Sequence, residues 1–264
     1  MDEVIYIEPY FPKSVQYIIT TGSCHYIGVV DKTTVLKYPH VKGPSPALDV
    51  EYAMFRQLGE EGKDHHIIEF KGKHQDGLLL EYALCGSLET YIRETDITRE
   101  EKIRFAKETA EGVAYAHGKN IIICDINVRN VLLDTERHVK LCDFQGRLLG
   151  SDGKVIYDGG ASENAESFMP RDDKDSADVK SDIFALGSTI YYIATGHRPF
   201  PELDTIDDEA EFLRRFREGQ FPRLEAEVGG EIVRKCWECR YSSASEVVAD
   251  LGALQAALGM VGKK

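Results

Sequence analysis

The chain has 264 residues, 42% of them hydrophobic and 29% charged, with a formal net charge of −13. Such a length buries a substantial core in one large domain or two lobes, and the composition is that of an ordinary globular protein. The negative balance argues against a primary nucleic-acid or anionic-membrane surface, but leaves room for a nucleotide whose charge is met locally by a cation.

The start, Met1-Asp2-Glu3-Val4, is acidic, and no run anywhere reaches the ~20 apolar residues of a membrane helix. Val15 to Thr20, His25 to Val30 and Thr34 to Tyr38 are short runs rich in β-branched and aromatic residues, with turn signals at Thr21-Gly22 and Asp31-Lys32. They predict an antiparallel meander. Lys37 lies in the third run, where a lysine is ordinarily solvated. Ser45-Pro46 opens a helix, with serine as N-cap and proline at the first helical position, and Gly59 closes it. Within it Glu51, Met54, Phe55 and Leu58 share one face, so Glu51 points inward with the apolar stripe. A buried glutamate needs a cation, and Lys37, one element earlier, is the candidate. Ile67 to Lys71 and Leu78 to Tyr82 predict a second hairpin around Gln75-Asp76-Gly77, broken by Cys85-Gly86-Ser87-Leu88.

Thr98 to Glu101 has the form of a capping box. The helix it starts carries Ile103, Phe105, Ala106, Ala110 and Val113 and ends at His117-Gly118, where His117 is expected to be a packed structural histidine. From Ile121 to Gly146, apolar runs deliver Asp125, Asn130 and Asp143 onto turns at the ends of buried strands. A desolvated carboxylate needs a partner, and two carboxylates with one carboxamide suit a divalent metal carrying phosphates. Ser181 to Ala194 is apolar on nearly every side around Asp182, so it predicts a buried helix. Val247 to Leu258 predicts a final amphipathic helix. The cysteines are Cys24, Cys85, Cys124, Cys142, Cys236 and Cys239. Cys236-x-x-Cys239 lacks a second pair or flanking histidine, so no structural zinc is expected. Scattered thiols suit a reducing compartment, which makes the expected location cytoplasmic, with the nucleus as an alternative.

These parts resemble, in order from about residue 15 to 258, a eukaryotic-type protein kinase domain, and are similar to divergent kinase-like proteins of filamentous fungi. Asp125 and Asn130 match the Asp and Asn of the catalytic-loop motif H-R-D-L-x-x-x-N, and Asp143-Phe144 begins D-F-G. The resemblance implies an α+β, bilobal fold: a small antiparallel β lobe with one helix over residues 1–83, and a larger, mainly helical lobe over residues 84–264. It implies ATP and Mg2+ as cofactors. Lys37, held by Glu51, would position phosphates; Asn130 and Asp143 would hold the metal; Asp125 would be the base. Arg129 would supply charge near the transferred phosphate, because Asn127 stands where serine/threonine kinases carry a loop lysine. Gly22, Val29, Val35, Lys37, Leu80, Glu81, Ala83 and Leu132 would line the nucleotide site, with Leu80 as gatekeeper and the backbone of Glu81 and Ala83 facing adenine. Asp182 would anchor the catalytic-loop backbone. Residues 143–171 would be a Gly-, Ser- and Asp-rich, mobile activation segment.

The departures are as specific as the matches. Ile123, Cys124 and Gln145 replace the motif His, Arg and Gly, and Gly146 comes one step late. In the Gly-rich loop only Gly22 and Val29 fit; Cys24 and Ile27 occupy glycine positions, and Gly28 is out of register. Arg171 replaces the glutamate of A-P-E, and Tyr241 replaces its usual arginine partner, so both halves of that lock are exchanged together. Cys124 cannot pair with a phosphorylated activation segment, so activity is expected not to need a phosphate at Ser162 or Ser167 through that contact. The expected function is transfer of the ATP γ-phosphate to a protein hydroxyl, serine or threonine ahead of tyrosine, by a monomer that binds protein substrates or partners, with no nucleic acid and no membrane. The alternatives are a pseudokinase acting as scaffold or allosteric partner, and a small-molecule phosphotransferase; the long activation segment, the Asp182 helix and Cys236-Trp237 favour the protein-kinase branch.

Overall fold

The computed structural model describes residues 9–261, so the acidic start at Met1 to Val4 lies outside the described residues. Strands β1 (Tyr17–Thr21), β2 (His25–Val29), β3 (Thr34–Pro39), β4 (Phe70–His74) and β5 (Gly77–Glu81) form one antiparallel sheet in the order β1-β2-β3-β5-β4. Helix α1 (Pro46–Leu58) follows β3; the Ser45 hydroxyl accepts the Leu48 N–H, Pro46 sits in the first turn, and Gly59 terminates the helix. The strand register places Lys37 at the centre of the sheet, opposite Ile27 on one side and Leu78 on the other.

Two edges differ from expectation. Val15 precedes β1 and is buried with Leu36 and Tyr38, so its bulk serves a small cluster under the sheet. Gly28 faces it: a Cβ there would lie 2.5 Å from Val15 Cγ1. The out-of-register glycine thus serves strand packing. Ile67 does not begin β4; it bridges Leu141, joining the sheet-bearing half to the strands beyond it. A run of apolar residues marks burial, and only the tertiary partner decides which sheet it joins.

Beyond Glu81 come α2 (Leu88–Glu94), α3 (Arg99–Gly118), α4 (Val179–Thr195), α5 (Glu209–Arg217), α6 (Gly230–Trp237) and α7 (Ala244–Val261). The Thr98–Glu101 capping box forms at the start of α3. Helix α4 is buried almost throughout, as its all-round apolar face requires. Helix α3 packs on α4 and α7, and α4 packs on α6. Between α3 and α4 run the short strands β6 (Ile121–Ile122), β7 (Val131–Leu133), β8 (Val139–Leu141), β9 (Arg147–Leu149) and β10 (Val155–Asp158). β7 pairs with β8; β9 lies between β10 and β6. Strands β9 and β10 fall within residues read as a mobile segment. Their composition is that of a loop, but Arg147 to Leu149 gains a partner in β6 that lies far back in sequence. All of this is an α+β arrangement with a five-stranded antiparallel sheet and one helix preceding a mainly helical portion.

Candidate active site

Three elements deliver charge to one point. Lys37 comes from the middle of β3, Glu51 from the inward face of α1, and Asp143 from the turn after β8. Lys37 Nζ lies 2.7 Å from Glu51 Oε2 and 2.5 Å from Asp143 Oδ1. Lys37 and Glu51 are both buried. Burial works against the charge on Lys37, but the Glu51 and Asp143 carboxylates outweigh it and hold the ammonium above its usual range. Burial, reinforced by the facing charge of Asp143 and opposed by Lys37, pushes the Glu51 carboxyl up. The same cluster includes a residue that sequence reasoning took only as a departure. Gln145 Nε2 donates to Asp143 Oδ1 at 2.9 Å and reaches Glu51 Oε2 at 3.4 Å.

Next to it stands the Asp125 turn. Asn127 Nδ2 donates to Asp125 Oδ1 at 2.7 Å, and Asn130 Nδ2 donates to Asp125 Oδ2 at 2.8 Å. Burial, with the charge of Asp143 added, pushes the Asp125 carboxyl up to about 6, against the pull of those two amides. A carboxylate poised there is matched to proton transfer near neutral pH. Asn127 spends its amide on Asp125, and its own oxygen accepts the Arg129 N–H at 3.0 Å. The pairing of β7 with β8 brings the metal candidates together: Val131 stands opposite Leu141, and the Cys142 N–H donates to Asn130 O. Thus Asn130 and Asp143 leave adjacent strand ends side by side.

Backbone geometry holds the loop in place. Cys124 and Asp143 both adopt left-handed φ, 63° and 64°. Such a conformation costs an L-residue ~1–2 kcal/mol and persists only where surroundings over-determine it. At Cys124 the surroundings are Asp182, which accepts the Ile123 N–H at 2.7 Å and the Cys124 N–H at 2.9 Å from within α4. His117 Nε2 donates to the same carboxylate at 2.9 Å, so it is a packed structural group. Phe144 is fully buried and meets Phe55 of α1 edge-on at 5.7 Å. Ile123 joins Phe144 in the same apolar core. The late glycine, Gly146, has a packing role: a Cβ there would lie 2.1 Å from Ile122 O.

The nucleotide candidates divide. Val29, Val35, Leu80 and Ala83 are buried in one core cluster, with Leu132 packed against it. Glu81 donates its N–H to Glu69 O, and no protein acceptor takes the Ala83 N–H among the described residues. Gly22 is exposed in the β1–β2 turn, and its N–H donates to His25 O at 2.8 Å. Arg129 is not gathered into the cluster. Its side chain is exposed and lines a neighbouring cavity of about 240 Å³ with Arg93, Glu166 and Arg198, although its charge still lowers the Asp125 pKa.

The exchanged lock is resolved into two new pairs. Arg171 Nη1 and Nη2 donate to Glu163 Oε1 and Oε2 at 3.0 and 3.1 Å, a bidentate pair almost wholly buried. The Tyr241 hydroxyl donates to Asp250 at 2.6 Å, and Lys235 holds the same carboxylate at 2.9 Å. Cys124 is buried, and its carbonyl accepts the Ser162 N–H at 3.2 Å. Glu163 gave no sequence signal, because its partner is defined only once residues 163 and 171 fold against each other.

Among the described residues no cluster of three or more His, Cys, Asp or Glu is placed to hold a metal. The donors that do converge suit magnesium nonetheless. Asn130 spends its nitrogen on Asp125, which leaves its oxygen, and Asp143 Oδ2 has no protein donor among the described residues. Two hard oxygens, completed by phosphate and water, form the open coordination that magnesium takes in phosphotransfer sites. All six cysteines are free thiols; Cys236 is buried and Cys239 exposed. No described helix is long and apolar enough to cross a membrane.

The family model for the protein kinase domain matches residues 51–242. Mitogen-activated protein kinase kinase kinase 9 of Arabidopsis thaliana is 29% identical over 185 residues, covering 67% of this chain and 22% of that protein. Serine/threonine-protein kinase RUNKEL of the same plant is 34% identical over 128 residues, 47% of this chain and 9% of that protein. Serine/threonine-protein kinase STE11 of Saccharomyces cerevisiae is 28% identical over 208 residues, 74% of this chain and 28% of that protein. The chain therefore spans no more than 28% of the length of these three relatives.

Proposed function

The chain belongs to the protein kinase family, and from that premise we propose that it is an active kinase that moves the γ-phosphoryl of ATP to a serine or threonine hydroxyl of a protein. The observation that carries the reading is the closed set Lys37–Glu51–Asp143, with Phe144 seated against α1. In this family the lysine–glutamate pair and the D-F-G aspartate must be in place together for transfer.

The residues divide the work. Lys37, kept charged by its two carboxylates, offers Nζ to phosphate oxygens. Asn130 and Asp143 are the residues that would hold magnesium, which would supply charge neutralisation to the phosphate chain. Asp125, held at both oxygens by Asn127 and Asn130, orients the acceptor hydroxyl and takes its proton as the oxygen attacks. Val29, Val35, Leu80 and Leu132 offer apolar surface to a planar base, while the Glu81 carbonyl and the Ala83 N–H can read its edge. Arg129, close enough to influence Asp125, supplies positive charge at the acceptor side. Serine/threonine specificity is supported by the names of two of the relatives.

One observation favours a second reading, a scaffold that binds nucleotide weakly. The β1–β2 turn spends the Gly22 N–H on His25, and Cys24 stands in a glycine position, so few backbone amides are left to meet phosphate. Titration with ATP, with and without magnesium, on wild type and on Asp143→Asn separates the two. Magnesium-dependent binding that the variant loses, followed by transfer to serine and threonine peptides, is the expected result. Absence of binding at millimolar ATP would sink the kinase reading and leave the scaffold.

A further inference from the structure

Gln145 stands where the family motif has glycine, and its side chain turns into the charged cluster. Its amide contacts Asp143 Oδ1 at 2.9 Å and Glu51 Oε2 at 3.4 Å. Lys37 Nζ contacts those same two oxygens at 2.5 and 2.7 Å. The cluster is therefore bridged twice, once by an ammonium and once by a neutral amide, across the same pair of carboxylates. A carboxamide nitrogen carries two protons, so one NH2 group can serve both.

The second bridge answers a problem in the first. One lysine faces two carboxylates, and the residual repulsion between Glu51 and Asp143 favours their separation, with α1 swinging outward or the Asp143 turn withdrawing. Further charge there would compete with magnesium and phosphate. A neutral donor shared by both oxygens offsets the repulsion without adding charge. It also fixes which oxygen of Asp143 is used: Oδ1 carries Lys37 and Gln145, and Oδ2 stays open. Gln145 is well placed for this because it is two residues from Asp143 on the same turn, and its N–H donates to Asp143 O at 3.1 Å.

We propose that Gln145 is a positioning residue, an amide clamp that ties the Asp143 turn to helix α1 and keeps the Lys37–Glu51–Asp143 set assembled before nucleotide arrives. The proposal rests on the phosphotransfer reading for its consequence, but the clamp exists in the protein without ligand. With a glycine at this position, the Asp143 turn is linked to α1 through the bridging Lys37 and the Phe55–Phe144 contact. A site assembled only part of the time binds its ligand more weakly by the assembled fraction.

The test is hydrogen exchange on the full chain without ligand, comparing wild type with Gln145→Ala and Gln145→Leu. The leucine keeps the bulk and removes the donor. Both variants are expected to accelerate exchange in α1 about ten- to a hundredfold, the scale of one hydrogen bond to a charged group, and to leave α7 unchanged. Unaltered exchange in α1, or equal acceleration in α1 and α7, would overturn the clamp. The companion measurement is MgATP affinity and turnover. The dissociation constant is expected to rise by a similar factor, with turnover at saturation changed less than twofold, because a positioning role is repaid once ligand holds the set together. A fall in saturated turnover with unchanged affinity would also overturn it. If wild type binds no MgATP, the kinase reading fails, while the exchange comparison still decides the clamp.

Discussion

The catalytic cluster and the activation segment have both departed from the family pattern, but in different ways. Around Lys37 every charged group of the pattern is retained, and the change at position 145 adds a neutral contact. In the segment the charges are exchanged: Arg171 stands where the pattern has glutamate, and it finds Glu163 instead of a partner near the C-terminus. The difference follows from what each group must do. On the proposed reading, Lys37, Asp125 and Asp143 face a ligand whose charge and geometry are fixed, so their identities are fixed too. Arg171 and Glu163 only hold two stretches of backbone together, and any well-formed pair does that. Positional work can be redistributed; ligand chemistry cannot.

The largest effect should come from the side of this contrast that tolerates no exchange. Asp125→Asn keeps the shape but removes the base, and its new NH2 faces one of the two amide donors, Asn127 or Asn130; turnover in a peptide-transfer assay should fall ~10²–10⁴-fold while MgATP still binds. Retention of more than a tenth of turnover would remove Asp125 from the role. On the exchangeable side, Glu163→Gln leaves Arg171 without its buried counter-charge. Unfolding should be easier by ~2–4 kcal/mol, less than the upper range for a buried pair because Lys174 O and the Phe168 ring also meet the guanidinium. Removing both partners, in Glu163→Gln/Arg171→Met, should cost less than the single change by denaturant melting; strict additivity would mean that the pair does not act as a unit.

The pH profile tests the centre without mutation. Asp125 must be unprotonated to accept a proton, and its carboxyl is pushed up to about 6 by burial. Then kcat/KM should be flat above that value and fall about tenfold per unit below it. The sign is opposite for its stability contribution: a carboxyl raised in the folded state favours folding at low pH, and that contribution is lost as pH rises through about 6. A rate profile flat down to pH 5 would exclude the assigned base. The smallest effect should come from Tyr241→Phe, which removes one hydroxyl from Asp250 while Lys235 remains. A loss of ~0.5–1.5 kcal/mol in melting, with turnover unaltered, is expected.

The sequence was most legible where local rules and burial agree. Ser45-Pro46, Gly59 and the Thr98–Glu101 box mark helix ends through contacts that span three or four residues, so they can be read directly. The spacing of Glu51 with Met54, Phe55 and Leu58 places a carboxylate on an apolar face, and one cation suffices to explain it. Asp182 was legible as a costly residue in a buried run, and Phe144 through the D-F-G resemblance. Ile67 was misplaced because burial alone does not name the neighbouring strand.

The sequence by itself therefore determined the order of elements, the family, and which charged groups face each other across β3, α1 and the two turns. The helix ends and the Lys37–Glu51 pairing rest on periodicity, capping and the cost of burying charge, and the family and the roles of Asp125, Asn130 and Asp143 rest on the resemblance of their motifs. Tertiary structure alone decided that Gln145 turns inward as a second bridge, that Gly146 is required by the approach of Ile122, and that Arg171 is met by Glu163. Each of these depends on distances between segments. A hydrogen bond or a close contact is decided within a few tenths of an ångström, and the folded backbone sets that distance.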